Sequence, residues 1–217
     1  LHLFVYSPKI GRQSQEASKS IARSHGIFER SLFLEQSEEA VKKGVFHNDV
    51  ISFGHENVFI YHEKAFTDMK PIRKLPVDLF EITERELSLE DAVSTYFFNS
   101  QLLGSKLIAA KQCETHPGVQ KIIDRLPLSE VHYVDLSQSM ANGGGPACLK
   151  ISVPLTDKEI EGIHPNIILN NSLEKKLTEW IEYYYPEELH WEDLKDPTLL
   201  NKNKESLINL YLILNTV

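Results

Sequence analysis

The amino-acid sequence predicts an α/β fold that continues into a layer of helices. Short β-rich runs alternate with segments of helical periodicity over residues 1–155, and amphipathic helical segments alone follow over residues 156–217. The 217 residues are 41% hydrophobic and 25% charged, a composition that is sufficient to enclose a core. We therefore expect a single domain over residues 1–217, with α/β units over 1–155 and a mainly helical layer over 156–217.

The first elements follow from local patterns. Residues 1–7 are β-rich and predict a strand, and "RQSQEASKSIARSHG" carries apolar residues at helical spacing up to Gly26, which predicts a helix. "SLFLEQ" predicts a short strand. "SEEAVKKG" predicts a short helix with Ser37 as its N-cap, because acidic residues open the segment and lysines close it.

The following segments predict paired strands and then a repeat of the same order. "HNDVISFG" and "ENVFIYHE" are β-rich runs divided by a Gly-His turn, which indicates a hairpin. A strand in "DLFEIT", a helix in "SLEDAVSTYFFN" and a strand in "SKLIAA" come next, and a capping box from Ser88 to Asp91 opens the helix. A helix in "HPGVQKIIDRL" and strands in "EVHYVDL" and "ACLKISVPL" complete the α/β part. Thr156 is then the expected N-cap of the first C-terminal helix, and "SLEKKLTEWIEYYY" and "TLLNKNKESLINLYLIL" predict longer helices.

Charge and composition exclude several classes of protein. The net charge is −8 and the basic residues are scattered, so we expect no binding to nucleic acid. The sequence has no apolar run of the ~20 residues that span a bilayer and no signal peptide, so we expect no membrane association. Cys113 and Cys148 are too few for a disulfide framework, and we interpret them as reduced thiols of a cytoplasmic protein. The sequence also lacks a P-loop, a dinucleotide-binding fingerprint and a histidine-rich metal motif, so we expect no cofactor and no metal.

The segment "SMANGGGPACL" singles out Cys148 as a candidate nucleophile. Glycines before a cysteine at the start of a strand leave room for a substrate, and backbone N–H groups in such a loop can stabilise developing charge. The alternative is a small buried hydrophobic residue, which describes most free cysteines. Cys113 lies in "AAKQCETHPG" without such a loop and is predicted to be structural.

Two further stretches supply candidate partners for a thiol. In a strand, residues two apart share a face, so "FHNDVI" would place His47 and Asp49 side by side as a base next to a carboxylate. The alternative is a solvated strand start. Arg12, after a glycine at a helix entrance, is a candidate anion clamp, and the alternative is a surface arginine.

Taken together, several stretches resemble the N-succinylarginine dihydrolase family of bacterial arginine catabolism through nearly the whole chain. They are "RQSQEASKSIARSHG", "FHNDVISFGHENVFIYHEKAF", "YFFNSQLL", "VHYVDLSQSMANGGGPACLKISV" and "LKDPTLL", in the same order as in the family. The resemblance implies the fold of the pentein, or guanidine-modifying, superfamily, a five-bladed α/β propeller of ββαβ units. It also implies hydrolysis of N-succinylarginine by two waters to N-succinylornithine, two ammonia and carbon dioxide.

The resemblance further implies a role for each matching residue. Cys148 of GGGPAC would be the nucleophile and His47 of HND the catalytic histidine, while Arg12, Asp49 and Asn142 would contact the substrate. The family also uses a glutamate from an N-terminal part, and none of the glutamates in these residues matches it. We therefore expect a C-terminal portion of a larger enzyme, a partial propeller that is inactive alone, and self-association, such as a homodimer, through uncovered blade edges.

Two alternatives stay open at this point. One is another guanidine-modifying hydrolase or amidinotransferase with a different substrate. Arg12 and Asn142 distinguish this alternative from a succinylarginine dihydrolase, because they match the succinylarginine pattern in particular. The other is a non-catalytic propeller fragment or interaction module.

Overall fold

A computed structural model of the chain describes residues 1–9, 13–45, 47–149, 153 and 155–215. The chain divides into two compact units, Leu1–Ile151 and Ser152–Val217. The predicted packing of residues 156–217 as a layer on the α/β part stays a prediction.

The first unit begins with a parallel pair of strands joined by a helix. Strand β1 (His2–Tyr6) pairs in register with β2 (Ser31–Glu35), and helix α1 (Gln15–Ser24) connects them. The Ser14 hydroxyl caps α1 by accepting a hydrogen bond from the backbone N–H of Ala17 at 3.1 Å. Helix α2 (Glu38–Lys42) follows and is capped by Ser37, as predicted.

The second sheet contains the predicted hairpin, but its turn lies further along the chain. Strands β3 (Ser52–His55) and β4 (Val58–His62) are antiparallel, and β5 (Asp78–Ile82) runs parallel to β4. The prediction of a turn at Gly54 and His55 is wrong, because Gly54 pairs with Phe59 inside the ladder. The turn is formed instead by residues 56 and 57, and Glu56 has a left-handed φ of 51°.

The third sheet is a complete ββαβ unit, as the resemblance implied. Strands β6 (Gln101–Leu103) and β7 (Lys106–Ala110) form a hairpin, and β8 (Glu130–Val134) runs parallel to β7. Between β7 and β8 lie α4 (Gln112–Thr115) and α5 (Pro117–Arg125).

Helix α3 (Leu89–Thr95) precedes this sheet and is shorter than the sequence predicts. The Ser88 hydroxyl caps it, accepting from the Asp91 N–H at 3.0 Å and donating to the Asp91 carboxylate at 2.8 Å. The helix stops at Tyr96, which has a left-handed φ of 53°, and a 3-10 helix, Phe97–Asn99, leads into β6.

The core of the first unit consists of two apolar clusters. One joins the second and third sheets through Ile60, Ile82, Phe97, Leu107 and Ile122, among others. The other lies around the first and second sheets and includes Leu34, Val50, Ile51, Tyr61 and Ile72. The first cluster also contains Phe97 and Phe98 of the 3-10 segment before β6, and the second contains Val50, the residue after Asp49.

Helix α6 (Ser137–Ala141) follows β8 and leads into the glycine-rich loop. The strand predicted for "ACLKISVPL" is wrong over residues 147–149, which form a turn. The Cys148 N–H donates to the Gly145 carbonyl at 3.0 Å, so this stretch satisfies a backbone group within the loop, where a strand would use a ladder partner. Residues 150–152 and 154 lie outside the described part of the chain.

The second unit is helical, as predicted. Helix α7 (Asp157–Glu161) opens with a reciprocal capping box between Thr156 and Glu159. Helices α8 (Asn171–Tyr184) and α9 (Pro197–Asn215) contact each other, and the Trp180 indole donates to the Ser206 carbonyl at 3.0 Å. Short 3-10 turns lie at Pro165–Ile167 and Asp193–Lys195. Across the described ranges, no helix is both long and apolar enough to cross a bilayer.

Candidate active site

The glycine-rich loop that precedes Cys148 packs tightly against the 3-10 segment before β6. Gly143 has a φ of +84°, a backbone angle that residues other than glycine rarely adopt. A Cβ atom on Gly145 would lie 2.7 Å from Tyr96 Cδ1 and 2.9 Å from Asn99 Cγ. The loop therefore needs glycine once for its backbone angle and once for close contact.

Hydrogen bonds to residues 99–101 tie this loop to the sheet. The Ala147 N–H donates to Asn99 twice, to the backbone carbonyl at 2.8 Å and to the side-chain Oδ1 at 3.1 Å. The Gln101 side-chain amide donates to the Pro146 carbonyl. These contacts fix the backbone immediately before the thiol.

The Cys148 thiol is exposed and lies beside a carboxylate. Its Sγ atom is 3.5 Å from Asp49 Oδ2 and 3.5 Å from the side-chain amide nitrogen of Asn99. Asp49 is 99 residues away in sequence, so folding brings the two predicted residues together.

His47 and Asp49 are adjacent, although the predicted strand is wrong. Residues Asn48–Val50 form a 3-10 turn in which the Val50 N–H donates to the His47 carbonyl at 3.1 Å, so the turn satisfies this donor without a strand partner. His47 Nδ1 and Asp49 Oδ1 are nevertheless 2.8 Å apart. The His47 side chain is 51% exposed and that of Asp49 29%, so both are accessible to a small molecule.

Asn99 connects these groups and was not singled out by the sequence analysis. Its side chain is fully buried, and its amide nitrogen donates to Asp49 Oδ2 at 2.8 Å. The only sequence signal is a polar amide at the end of the aromatic run "YFFN". That pattern marks a buried polar residue but does not name its partners.

The Tyr96 ring packs against the glycine-rich loop at Gly145. The residue is 8% exposed, and burial raises the pKa of its phenol, with a smaller contribution from the negative charges of Cys148 and Asp49. The phenol therefore stays protonated across the physiological range.

The second cysteine occupies a different environment. Cys113 is fully buried, its thiol donates to the Thr95 carbonyl at 3.3 Å, and burial raises its pKa to about 12. Such a thiol is unreactive at neutral pH, which fits the structural role predicted for it.

A cleft of about 380 Å³ opens beside the polar cluster. It is bordered by residues 3–7, in β1 and just after it, by Gln13, and by His47 and Asp49, among others. Arg12, the predicted anion clamp, lies outside the described residues. Asp49 therefore borders this cleft and also lies 3.5 Å from the Cys148 thiol.

Asn142, the remaining candidate, lies at the end of α6 and is exposed. Its side-chain amide donates to the Gln138 carbonyl at 3.1 Å. Its role as a substrate contact stays a prediction, as do the roles of Cys148, His47 and Asp49. Within the described ranges, no group of three or more histidine, cysteine or acidic side chains could hold a metal ion.

Comparison with known sequences gives consistent matches. A family model described as "Succinylarginine dihydrolase" matches residues 7–217. The N-succinylarginine dihydrolase of Idiomarina loihiensis is 38% identical over 219 residues, covering 92% of this chain and 49% of its own. That of Legionella pneumophila (strain Paris) is 39% identical over 248 residues, covering 99% of this chain and 55% of its own. The chain thus spans about half the length of the curated relatives it matches.

Comparison with solved structures supports the predicted fold. The N-terminal domain of ArgZ, an arginine dihydrolase from cyanobacteria solved with its product, superposes with a TM-score of 0.52 at 15% identity. The match covers 70% of this chain and 50% of that one. At this identity the likeness concerns the fold alone, and it confirms the predicted α/β architecture of the pentein type.

Proposed function

Because the chain belongs to the succinylarginine dihydrolase family, we propose that the protein hydrolyses N-succinylarginine with two waters to N-succinylornithine, two ammonia and carbon dioxide. The observation that carries this proposal is the exposed Cys148 thiol 3.5 Å from Asp49, whose other oxygen pairs with His47. An imidazole, a carboxylate and a thiol thus lie within one cluster, which supports a proposal that needs a base, an anion for the guanidinium and a nucleophile.

Asp49 would orient the substrate. A guanidinium is planar, cationic and delocalised, which makes its carbon a poor electrophile until the group is held in place. Each carboxylate oxygen has two lone pairs, so Oδ1 and Oδ2 can accept from the substrate while they contact His47 and Asn99. Pairing with Asp49 would bring the guanidinium carbon next to Sγ, which lies 3.5 Å from Oδ2.

Cys148 and His47 would then carry out the first hydrolysis. The Cys148 thiolate forms a bond to the guanidinium carbon, and the tetrahedral adduct expels one nitrogen, protonated by His47, as ammonia. A thiouronium intermediate remains on the sulfur. His47 takes a proton from water, the water oxygen attacks the same carbon, and the carbon–sulfur bond breaks to return the thiolate and a ureido group.

A second round on the ureido group would complete the reaction. The thiolate attacks the ureido carbon and a second ammonia leaves. Water then cleaves the carbon–sulfur bond to give a carbamate, which loses carbon dioxide and leaves N-succinylornithine. The two rounds consume two waters and release two ammonia molecules. None of these steps requires a metal or an organic cofactor.

Arg12 and Asn142 would provide specificity for the succinylated substrate in this proposal. An arginine at a helix entrance suits a succinyl or α-carboxylate, and free arginine lacks the former. The family's glutamate from an N-terminal part would complete the site. A cytoplasmic location belongs to the same proposal, because a catalytic thiol is kept reduced there.

An ammonia-release assay on the protein in the form in which the cell expresses it tests the proposal. We expect two ammonia per N-succinylarginine and little release from free arginine. Cys148→Ser should abolish release while the melting temperature is retained, and Cys113→Ser is the matched control that should retain turnover in the folded protein. Normal turnover by Cys148→Ser would refute the nucleophile assignment, and equal rates on the two substrates would refute the substrate assignment.

A further inference from the structure

We propose that Asn99 is a positioning residue that holds the Asp49 carboxylate and the Cys148 thiol in the arrangement needed for attack on the guanidinium. The inference rests on the proposed function for its kinetic consequences. Its structural basis is a single buried amide that contacts the carboxylate, the thiol and the loop that carries the thiol.

The two ends of this amide are used differently. The nitrogen donates to Asp49 Oδ2 at 2.8 Å and lies 3.5 Å from Sγ, while Oδ1 accepts from the Ala147 N–H at 3.1 Å. The reverse orientation would place the amide oxygen against the Asp49 carboxylate, which is repulsive. Asn99 thus fixes one oxygen of Asp49 and the residue before the nucleophile at the same time.

The amide is itself held by the core. Asn99 ends the 3-10 segment whose other members, Phe97 and Phe98, are fully buried. The Asn99 N–H donates to the Tyr96 carbonyl at 2.9 Å, and the Phe97 ring packs edge-on against Phe53 at 5.9 Å. A displacement of the amide would therefore disturb the core, which is the property expected of a support for reacting groups.

An amide of this length meets two requirements at once. Asp49 needs a donor and the Ala147 N–H needs an acceptor, and asparagine supplies one of each. Aspartate would supply acceptors alone and face Asp49 with a second negative charge. Leucine has a similar size but supplies neither group.

Loss of the amide should act on the reaction step more than on binding. Asp49 keeps its contact with His47 through Oδ1 and remains able to pair with a guanidinium. The thiol, however, loses a neighbouring donor, and its loop loses one of the two hydrogen-bond acceptors for the Ala147 N–H. A misplacement of about 1 Å at a reacting group lowers rates about 100-fold.

The test uses Asn99→Leu and Asn99→Asp in the naturally expressed protein, with Asn57→Asp as the matched control. Asn57 is an exposed asparagine in the β3–β4 turn, and its amide lies 3.4 Å from Asp78 Oδ2. We measure kcat and KM for N-succinylarginine, the rate of Cys148 alkylation by iodoacetamide, and the melting temperature. Asn99→Ser, which leaves a smaller polar group, repeats the comparison if either larger change prevents folding.

We expect kcat to fall about 100-fold in the folded Asn99 variants while KM changes about threefold or less. Alkylation of Cys148 should slow about tenfold, because the amide N–H stabilises the reacting sulfur. Asn57→Asp should match the unaltered protein in both assays. A kcat and an alkylation rate within about threefold of the unaltered protein would overturn the proposal, and so would a rise in KM without a fall in kcat. If the unaltered protein does not hydrolyse N-succinylarginine, the proposed function fails, and the alkylation rates still decide the role of Asn99.

Discussion

Gly145→Ala should displace the nucleophile, and the size of the effect follows from the contacts of the loop. The new Cβ would lie 2.7 Å from Tyr96 Cδ1, about 0.8 Å short of the ~3.5 Å at which carbon atoms pack. Tyr96 is 8% exposed and Asn99 is fully buried, so neither can swing away into solvent. The loop must therefore move by most of this distance, and Cys148 moves with it.

Overpacking of this kind costs about 1–3 kcal/mol of unfolding free energy. A shift approaching 1 Å at the thiol should lower kcat by up to about 100-fold. Urea denaturation measures the first effect, and ammonia release together with alkylation of Cys148 measures the second. Gly162→Ala is the control, because its new Cβ would lie 3.4 Å from its nearest neighbour, the Glu159 carbonyl oxygen, which is close to an ordinary van der Waals distance. A Gly145→Ala protein with unchanged stability and a kcat within about threefold of the unaltered protein would show that the loop does not need glycine there.

Three further predictions concern histidine and cysteine. His47→Ala should lower kcat by about 100-fold or more in the ammonia assay, because the variant lacks the imidazole that lies 2.8 Å from Asp49 Oδ1 and would transfer protons. An unaltered kcat would exclude His47 as the acid–base group. The unfolding free energy should fall as pH rises above about 9, because burial raises the pKa of Cys113 to about 12 and the unfolded thiol loses its proton first. This contribution is at most about 1.4 kcal/mol per pH unit, urea titrations at pH 8 and pH 10 measure it, and Cys113→Ala should reduce the slope. His62→Phe should destabilise the protein by about 1–3 kcal/mol, because the fully buried His62 ring pairs with the Leu87 carbonyl at 2.9 Å and phenylalanine leaves that carbonyl unpaired; an unchanged urea midpoint would contradict this.

Local sequence patterns predicted most of the secondary structure. The caps at Ser37, Ser88 and Thr156 are examples, because a hydroxyl that accepts from an N–H three residues later involves only neighbouring residues. The secondary-structure predictions are wrong where the same residues are compatible with two local backbone conformations. "HNDVI" has the β-rich composition of a strand, yet its backbone closes a 3-10 turn before β3 begins. The hairpin turn was predicted at Gly54 but lies at residues 56 and 57, because Gly54 pairs with Phe59 within the ladder. Glycine suits that paired position, since a Cβ there would lie 3.1 Å from the Val58 carbonyl oxygen.

Local sequence features also singled out several residues of the candidate site, and their roles stay predictions. Cys148 could be chosen over Cys113 because glycine content is visible in the sequence, and the buried state of Cys113 agrees with that choice. The pairing of His47 with Asp49 was predicted from a strand, whereas the structure has a 3-10 turn there. The two side chains are adjacent nevertheless, since the residues are only two positions apart. Asn99 could not be found, because its partners lie 50 and 49 residues away.

The sequence by itself determined the family of this protein, the alternation of strands and helices, and the loop whose glycines precede the thiol. These features depend on residue type and on neighbours a few positions apart. Only the tertiary structure decided that the Cys148 thiol lies 3.5 Å from a carboxylate 99 residues earlier, and that one buried amide joins them. Such convergence depends on how the second and third sheets pack through their shared apolar core, which brings the 3-10 turns beside β3 and β6 together. Packing of that kind is a property of the whole unit, and no short stretch of the chain encodes it alone.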